Sequence, residues 1–235
     1  MNLIPLGRDT DYTLGRGEMG HTIDIDLLPD APIVLDAGCR GFAFSKDILI
    51  LRPKARIIAL DPDSRIDNPQ VPGIEYWKVG LVAHQKRVAN YVSTTKSSGD
   101  GGANFLIEPG SGIDGVITRP DCGWEFSDYE METVATGNIQ AIMRIADVSH
   151  WDVVKLDIEG QEFPILESWP GPIATQISVE FHDFTGPMRH KIDLGYYDVL
   201  MDHLGQWYRF ARHDWMDLDG DPVHFGHWDS VLVLK

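Results

Sequence analysis

The 235-residue sequence predicts an α/β fold, with a mostly parallel sheet and helices covering both of its faces. Three observations carry this. Short apolar runs of strand length alternate with helix-length segments along the chain. The runs Ile33-Val-Leu and Ile57-Ile-Ala-Leu are continuously apolar, as buried strands are. Two of the strands, near residues 36 and 157, end in acidic residues followed by glycine, and the carboxyl ends of strands are where ligands bind in open α/β sheets.

The elements follow in order. Residues 1–31 are mixed and polar, with Gly15, Gly17 and Gly20 breaking any period, and read as an N-terminal extension with little regular structure. Residues 32–37 are the first buried strand, Gly38 to Gly41 the turn, and 42–51 a helix stopped by Pro53. Strands are predicted over 56–61, 74–82 and 87–94. Residues 96–121 are rich in Gly, Ser and Pro and read as a long loop, either a functional lid or a plain flexible insertion. A strand over 131–136, a helix over 138–146, a strand over 152–157 and a helix over 160–169 come next. A strand over 174–181, a helix over 187–204 and strands over 206–212 and 229–234 close the fold. No internal repeat or domain boundary interrupts 32–235.

Composition narrows the function. The chain is 43% hydrophobic and 24% charged, an ordinary globular balance with material for a sizeable core. A formal charge of −16 disfavours nucleic acid and anionic membrane as partners, because phosphate binding rests on Lys and Arg. The two cysteines, Cys39 and Cys122, show no metal spacing, and Cys39 sits inside a turn. With no signal-peptide pattern and no apolar run of membrane length, the expectation is a reduced, cytoplasmic chain.

The first glycine turn, Asp36-Ala-Gly38-Cys-Arg40-Gly41, suits close approach of a nucleoside-type cofactor to backbone. It is not the dinucleotide pattern, because Arg40 and Ala43 stand where glycines are needed. Asp61 ends the second strand some 20 residues on, the position from which a carboxylate accepts both ribose hydroxyls. Asp63 reads as a helix cap. Asp36, Gly38, Gly41, Asp61 and Gly80 form the expected cofactor-binding set.

In Lys155-Leu-Asp157-Ile-Glu159-Gly160-Gln-Glu162, a lysine lies inside a buried strand and needs a partner among the nearby acids. Asp157 is placed to project toward the cleft. Glu162 suits the dipole of the following helix. On the next strand, Glu180 and His182 have the same parity and point to one side. His182 is the first candidate base, Asp157 the second, and Glu180 orients or balances the imidazole. The alternative use of Asp157, Glu180 and His182 is to hold a divalent cation, Mg or Mn.

These segments resemble the FkbM family of S-adenosylmethionine (SAM)-dependent methyltransferases. The resemblance runs over residues 33–183 and is most specific at Val154-Lys-Leu-Asp-Ile-Glu-Gly-Gln-Glu162 and Val179-Glu-Phe-His182. Cys39-Arg40 replaces the family's Ala-Asn, and Asp61-Pro62 its Glu-Pro. The resemblance implies a Rossmann-like, seven-stranded class I methyltransferase sheet with a reversed final hairpin. It also implies SAM as methyl donor and a hydroxyl acceptor on a sugar or secondary metabolite. Two other readings compete: a non-catalytic SAM- or carbohydrate-binding domain, with Trp207, Trp215 and Trp228 stacking on sugars, and a nicotinamide-dependent oxidoreductase. The spaced Asp217, Asp219 and Asp221 read as an acidic hairpin turn, because the glycine is misplaced for a calcium loop and no Glu stands at the twelfth position.

Overall fold

A computed structural model describes residues 2–6, 21–84, 88–94, 105–107, 129–182, 194–215 and 227–235. The main sheet contains β3 (Ile33–Ala37), β4 (Arg56–Leu60), β5 (Ile74–Trp77), β10 (Trp151–Leu156), β11 (Ala174–His182), β12 (Tyr208–Trp215) and β13 (His227–Leu234). Its order is β12-β13-β11-β10-β3-β4-β5. Pairing is parallel from β11 through β5, and β13 runs antiparallel to both its neighbours. This is the seven-stranded, mostly parallel sheet with a reversed final hairpin that the sequence implied. The acidic segment joining β12 to β13 lies outside the described residues.

The strands are apolar on both faces because both are covered. Leu35, Ala37, Ile58, Leu60, Val154 and Leu156 pack on one side with residues of α2 (Ile139–Ala146), α3 (Glu162–Glu167) and α4 (Leu194–Gly205). Val34, Ile57, Ala59 and Val153, one residue out of phase, pack on the other with Phe44 and Ile48 of α1 (Ala43–Leu51). The helix boundaries follow local chemistry. Asn138 caps α2 by accepting from Ala141 N at 2.9 Å, and Asp147 ends it in the left-handed region at φ 55°. No helix among the described residues is long and apolar enough to cross a membrane.

Three expectations need correction. Residues 74–82 are not one strand: β5 belongs to the main sheet, whereas β6 (Gly80–Leu81) joins a second sheet of order β6-β9-β7-β8. Its other members are β7 (Val88–Thr94), β8 (Phe105–Ile107) and β9 (Tyr129–Gly137). Within the predicted loop, residues 105–107 are therefore a strand paired with β7, and the rest of 96–121 lies outside the described residues. The lid reading falls mostly on those residues.

The third correction concerns the N-terminus. β1 (Leu3–Leu6) and β2 (His21–Asp24) pair antiparallel, with Leu6 opposite His21, and Ile23 is buried among the α1-side core. Buried Gln176 of β11 holds this hairpin down. Its Oε1 accepts from Asp24 N at 2.8 Å and its Nε2 donates to Asp24 O at 3.1 Å. Side-chain amide thus stands in for a strand ladder, which is why apolar periodicity did not reveal it. Gln176→Leu is expected to leave both Asp24 groups unsatisfied, destabilising by about 1–3 kcal/mol, with faster hydrogen exchange confined to residues 21–24. Unchanged exchange there would show that apolar packing alone seats the hairpin.

Candidate active site

The carboxyl ends of β3, β4 and β10 open into a cleft of about 670 Å³, open solvent at its mouth included. The main-sheet tips supply Gly38, Arg40, Asp61, Asp157 and Glu159 to its wall. Gly80, Leu81, Tyr91 and Leu106 of the second sheet close the other side. Tyr91 and Leu106 carry no local sequence signal, because nothing nearby in the chain says that β7 and β8 lie beside the tips of another sheet.

Each expected cofactor residue now has a position. Gly38 lines the cleft at φ +79°, yet its missing Cβ faces away from ligand space: it would lie 1.7 Å from Asp157 O. The close approach is between the ends of β3 and β10. Gly41, at φ +72°, has nothing within 4 Å of its Cβ position. Gly80 is required by packing, since a Cβ there would meet Leu106 Cδ1 at 2.6 Å. Asp36 is fully buried and stands off the cleft wall. Its Oδ2 accepts from Ser45 Oγ at 2.6 Å, and its Oδ1 faces Lys155 Nζ at 3.5 Å without a hydrogen bond.

Asp61 is buried at the β4 tip, and its Oδ1 accepts from Asp63 N at 3.0 Å. Burial pushes its carboxyl up to about 6, with the Asp63 and Asp157 charges adding to the shift. Asp63 does other work. It takes hydrogen bonds from Arg65 N, Nε and NH2 and from Tyr91 Oη. Burial opposes its charge, but the Arg65 bonds outweigh that and hold it below the usual carboxylate range.

On the α1 side of the sheet, Asp36, Lys155 and Ser178 occupy one register line across β3, β10 and β11. Lys155 Nζ donates to Gly38 O at 2.6 Å and lies 3.2 Å from Asp157 Oδ2. Burial alone would lower its pKa; the Asp157 and Asp36 charges more than compensate and raise it. Glu162 is buried and clamps the strand exit, accepting from Ile158 N at 2.8 Å and Gly160 N at 2.9 Å. That clamp supports the left-handed Glu159, at φ 55°.

His21 was missed by the sequence reading. The N-terminal hairpin delivers it to the tips of β10 and β11, where its Nδ1 lies 3.3 Å from Ser178 Oγ and its Nε2 3.5 Å from Asp157 Oδ2. His21, Asp157 and Glu180 each bring one ligand atom within 4.8 Å of the others. This is a donor set of the kind that suits a hard divalent cation, but Lys155 already neutralises Asp157. The expected set named His182 instead. His182 ends β11 opposite His227, and its side chain lies outside the described residues.

No family model matches the chain, and no curated protein matches it. Solved structures are similar at low identity. Methyltransferase FkbM from Methylobacillus flagellatus KT is 14% identical over 89% of this chain and 45% of its own, with a TM-score of 0.43. The Methanococcus jannaschii fibrillarin pre-rRNA processing protein is 10% identical over 88% and 69%, with a TM-score of 0.46. The 16S rRNA (adenine(1408)-N(1))-methyltransferase from Catenulisporales acidiphilia is 11% identical over 98% of both chains, with a TM-score of 0.37. The chain spans less than half the length of the FkbM structure. These likenesses concern the fold, and the functional reading rests on the cleft itself.

Proposed function

We propose that the chain is a SAM-dependent methyltransferase that acts on a hydroxyl of a sugar or secondary metabolite, in the manner of the FkbM proteins that residues 33–183 resemble. The observation that carries this reading is buried Asp61, facing the cleft beside the Gly38–Gly41 turn and across from Asp157. A carboxylate in that position holds ribose hydroxyls. Arg40 and Ala43 in the turn disfavour a dinucleotide. SAM would supply an activated methyl group.

The chain's own residues then divide the work. Asp61 takes the ribose, and the turn backbone lies against the rest of the donor. The acceptor belongs on the β10–β11 side, where Asp157, Glu180, Ser178 and His21 gather. Asp157 Oδ2 is already engaged, with Lys155 Nζ at 3.2 Å and His21 Nε2 at 3.5 Å. A histidine, His182 first, is therefore the better proton acceptor for a hydroxyl. A small-molecule or glycan acceptor, rather than nucleic acid, suits the charge of −16.

Titration calorimetry with S-adenosylhomocysteine tests the reading. Binding is expected with this compound and not with NAD. Asp61→Asn is expected to weaken it about ten- to a hundredfold, the worth of hydrogen bonds to a charged group. Affinity is expected to fall as pH drops through about 6, where Asp61 takes a proton. The sign for folding is opposite. The raised carboxyl binds its proton more tightly in the folded chain, so ionisation weakens the fold as pH rises from the ordinary carboxylate range through about 6. Asp61→Asn should therefore raise the ligand-free melting temperature at pH 7–8, by the equivalent of about 2–3 kcal/mol. Unchanged affinity in that variant would remove Asp61 from the ribose site.

A further inference from the structure

Among the described residues lining the cleft, Arg40 is the one cation; Asp61, Asp157 and Glu159 line it as well. Lys155, just behind the wall, is already engaged by Gly38 O, Asp36 and Asp157. Arg40 has no hydrogen bond or ion pair among the described residues, and it stands on the turn whose Gly41 faces open space. Beside it, Lys46 of α1 donates to Gly41 O at 3.0 Å and adds positive charge to the same turn. A dianionic phosphate would sit poorly among three carboxylates. A zwitterionic group, with one carboxylate for the guanidinium and an ammonium for the acids, matches the wall.

We infer that Arg40 is the receptor for the carboxylate of a ligand's amino-acid arm, and so selects a donor that carries the whole methionine portion over one cut back to its nucleoside. This rests on the methyl-donor reading above. With ribose at Asp61 on β4 and the transfer point toward Asp157 on β10, the arm must cross the β3 turn that lies between them, where Arg40 is. A guanidinium grips a carboxylate through two parallel hydrogen bonds, which lysine cannot reproduce.

The test compares two probes by calorimetry: S-adenosylhomocysteine, and 5′-methylthioadenosine, which has the same nucleoside thioether without the amino-acid arm. Arg40→Gln is expected to weaken the first about tenfold and leave the second unchanged. Arg40→Lys should lose less, because it keeps the charge. Arg40 is exposed, so the ligand-free melting temperature of both variants should match that of the parent. Equal weakening of both probes, or no weakening of the first, overturns the inference while the methyl-donor reading stands. If the parent chain binds neither probe, the methyl-donor reading itself falls, and the role of Arg40 with it.

Discussion

Gly38→Ala is expected to remove most or all of the native stability. The added Cβ would sit 1.7 Å from Asp157 O and 2.8 Å from Asp157 C, both backbone atoms. Neither strand can retreat. Ala37 pairs with Leu156, Asp157 N donates to Ala37 O at 3.1 Å, and Gly38 N donates to Leu60 O at 2.9 Å on the other side. The left-handed φ of +79° adds a conformational penalty of about 1–2 kcal/mol. Collision and conformation together should exceed about 4 kcal/mol, a large share of the stability of any domain. Gly41→Ala is the control, because its φ of +72° carries a similar conformational penalty while its Cβ enters open space. It should lower stability by only about 1–2 kcal/mol. Circular dichroism melts of the two variants separate the terms. A Gly38→Ala chain that melts within a few degrees of the parent would mean that β3 and β10 are not held this tightly.

The parallel sheet was legible because its signal is local. Runs such as Ile57-Ile-Ala-Leu are apolar on both faces only when both faces are covered, and each strand tip carried its own acid or glycine. Asp61 and Asp157 followed from that logic and do line the cleft. What failed to show was contact set by distant partners. The β2 end of the β1–β2 pair is held by Gln176, more than 150 residues from Asp24, so the polar, glycine-broken sequence of residues 1–31 carries no strand signal of its own. His21 was invisible for the same reason: its place beside Asp157 depends on that clamp. Asp36 was misplaced as a cleft residue because a strand-end carboxylate reads alike whether it faces ligand or a buried lysine. The break of 74–82 into two sheets has no apolar signature, since the continuous run Ile74–Val82 offers no turn signal beyond Gly80.

The buried lysine offers the second large effect. Lys155→Met keeps much of the side chain's length and removes its charge. Asp36, fully buried, then faces no cation among the described residues, and Ser45 Oγ still donates to its Oδ2. Breaking a buried ion pair on one side destabilises by about 3–5 kcal/mol, chiefly because the remaining charge is left uncompensated. Adding Asp36→Asn to Lys155→Met should therefore recover part of the loss, since the amide needs no counter-charge. Chemical denaturation of the single and double variants measures both steps. A single variant as stable as the parent would mean that the Asp36–Lys155 contact is not a working pair. Stability and function are separable here. Lys155 Nζ also ties Gly38 O, and with it the glycine turn that lines the cleft. Asp36→Asn can restore charge balance but cannot replace that tie. The double variant should thus regain stability ahead of affinity for S-adenosylhomocysteine. Equal recovery of both would assign Lys155 to charge balance alone.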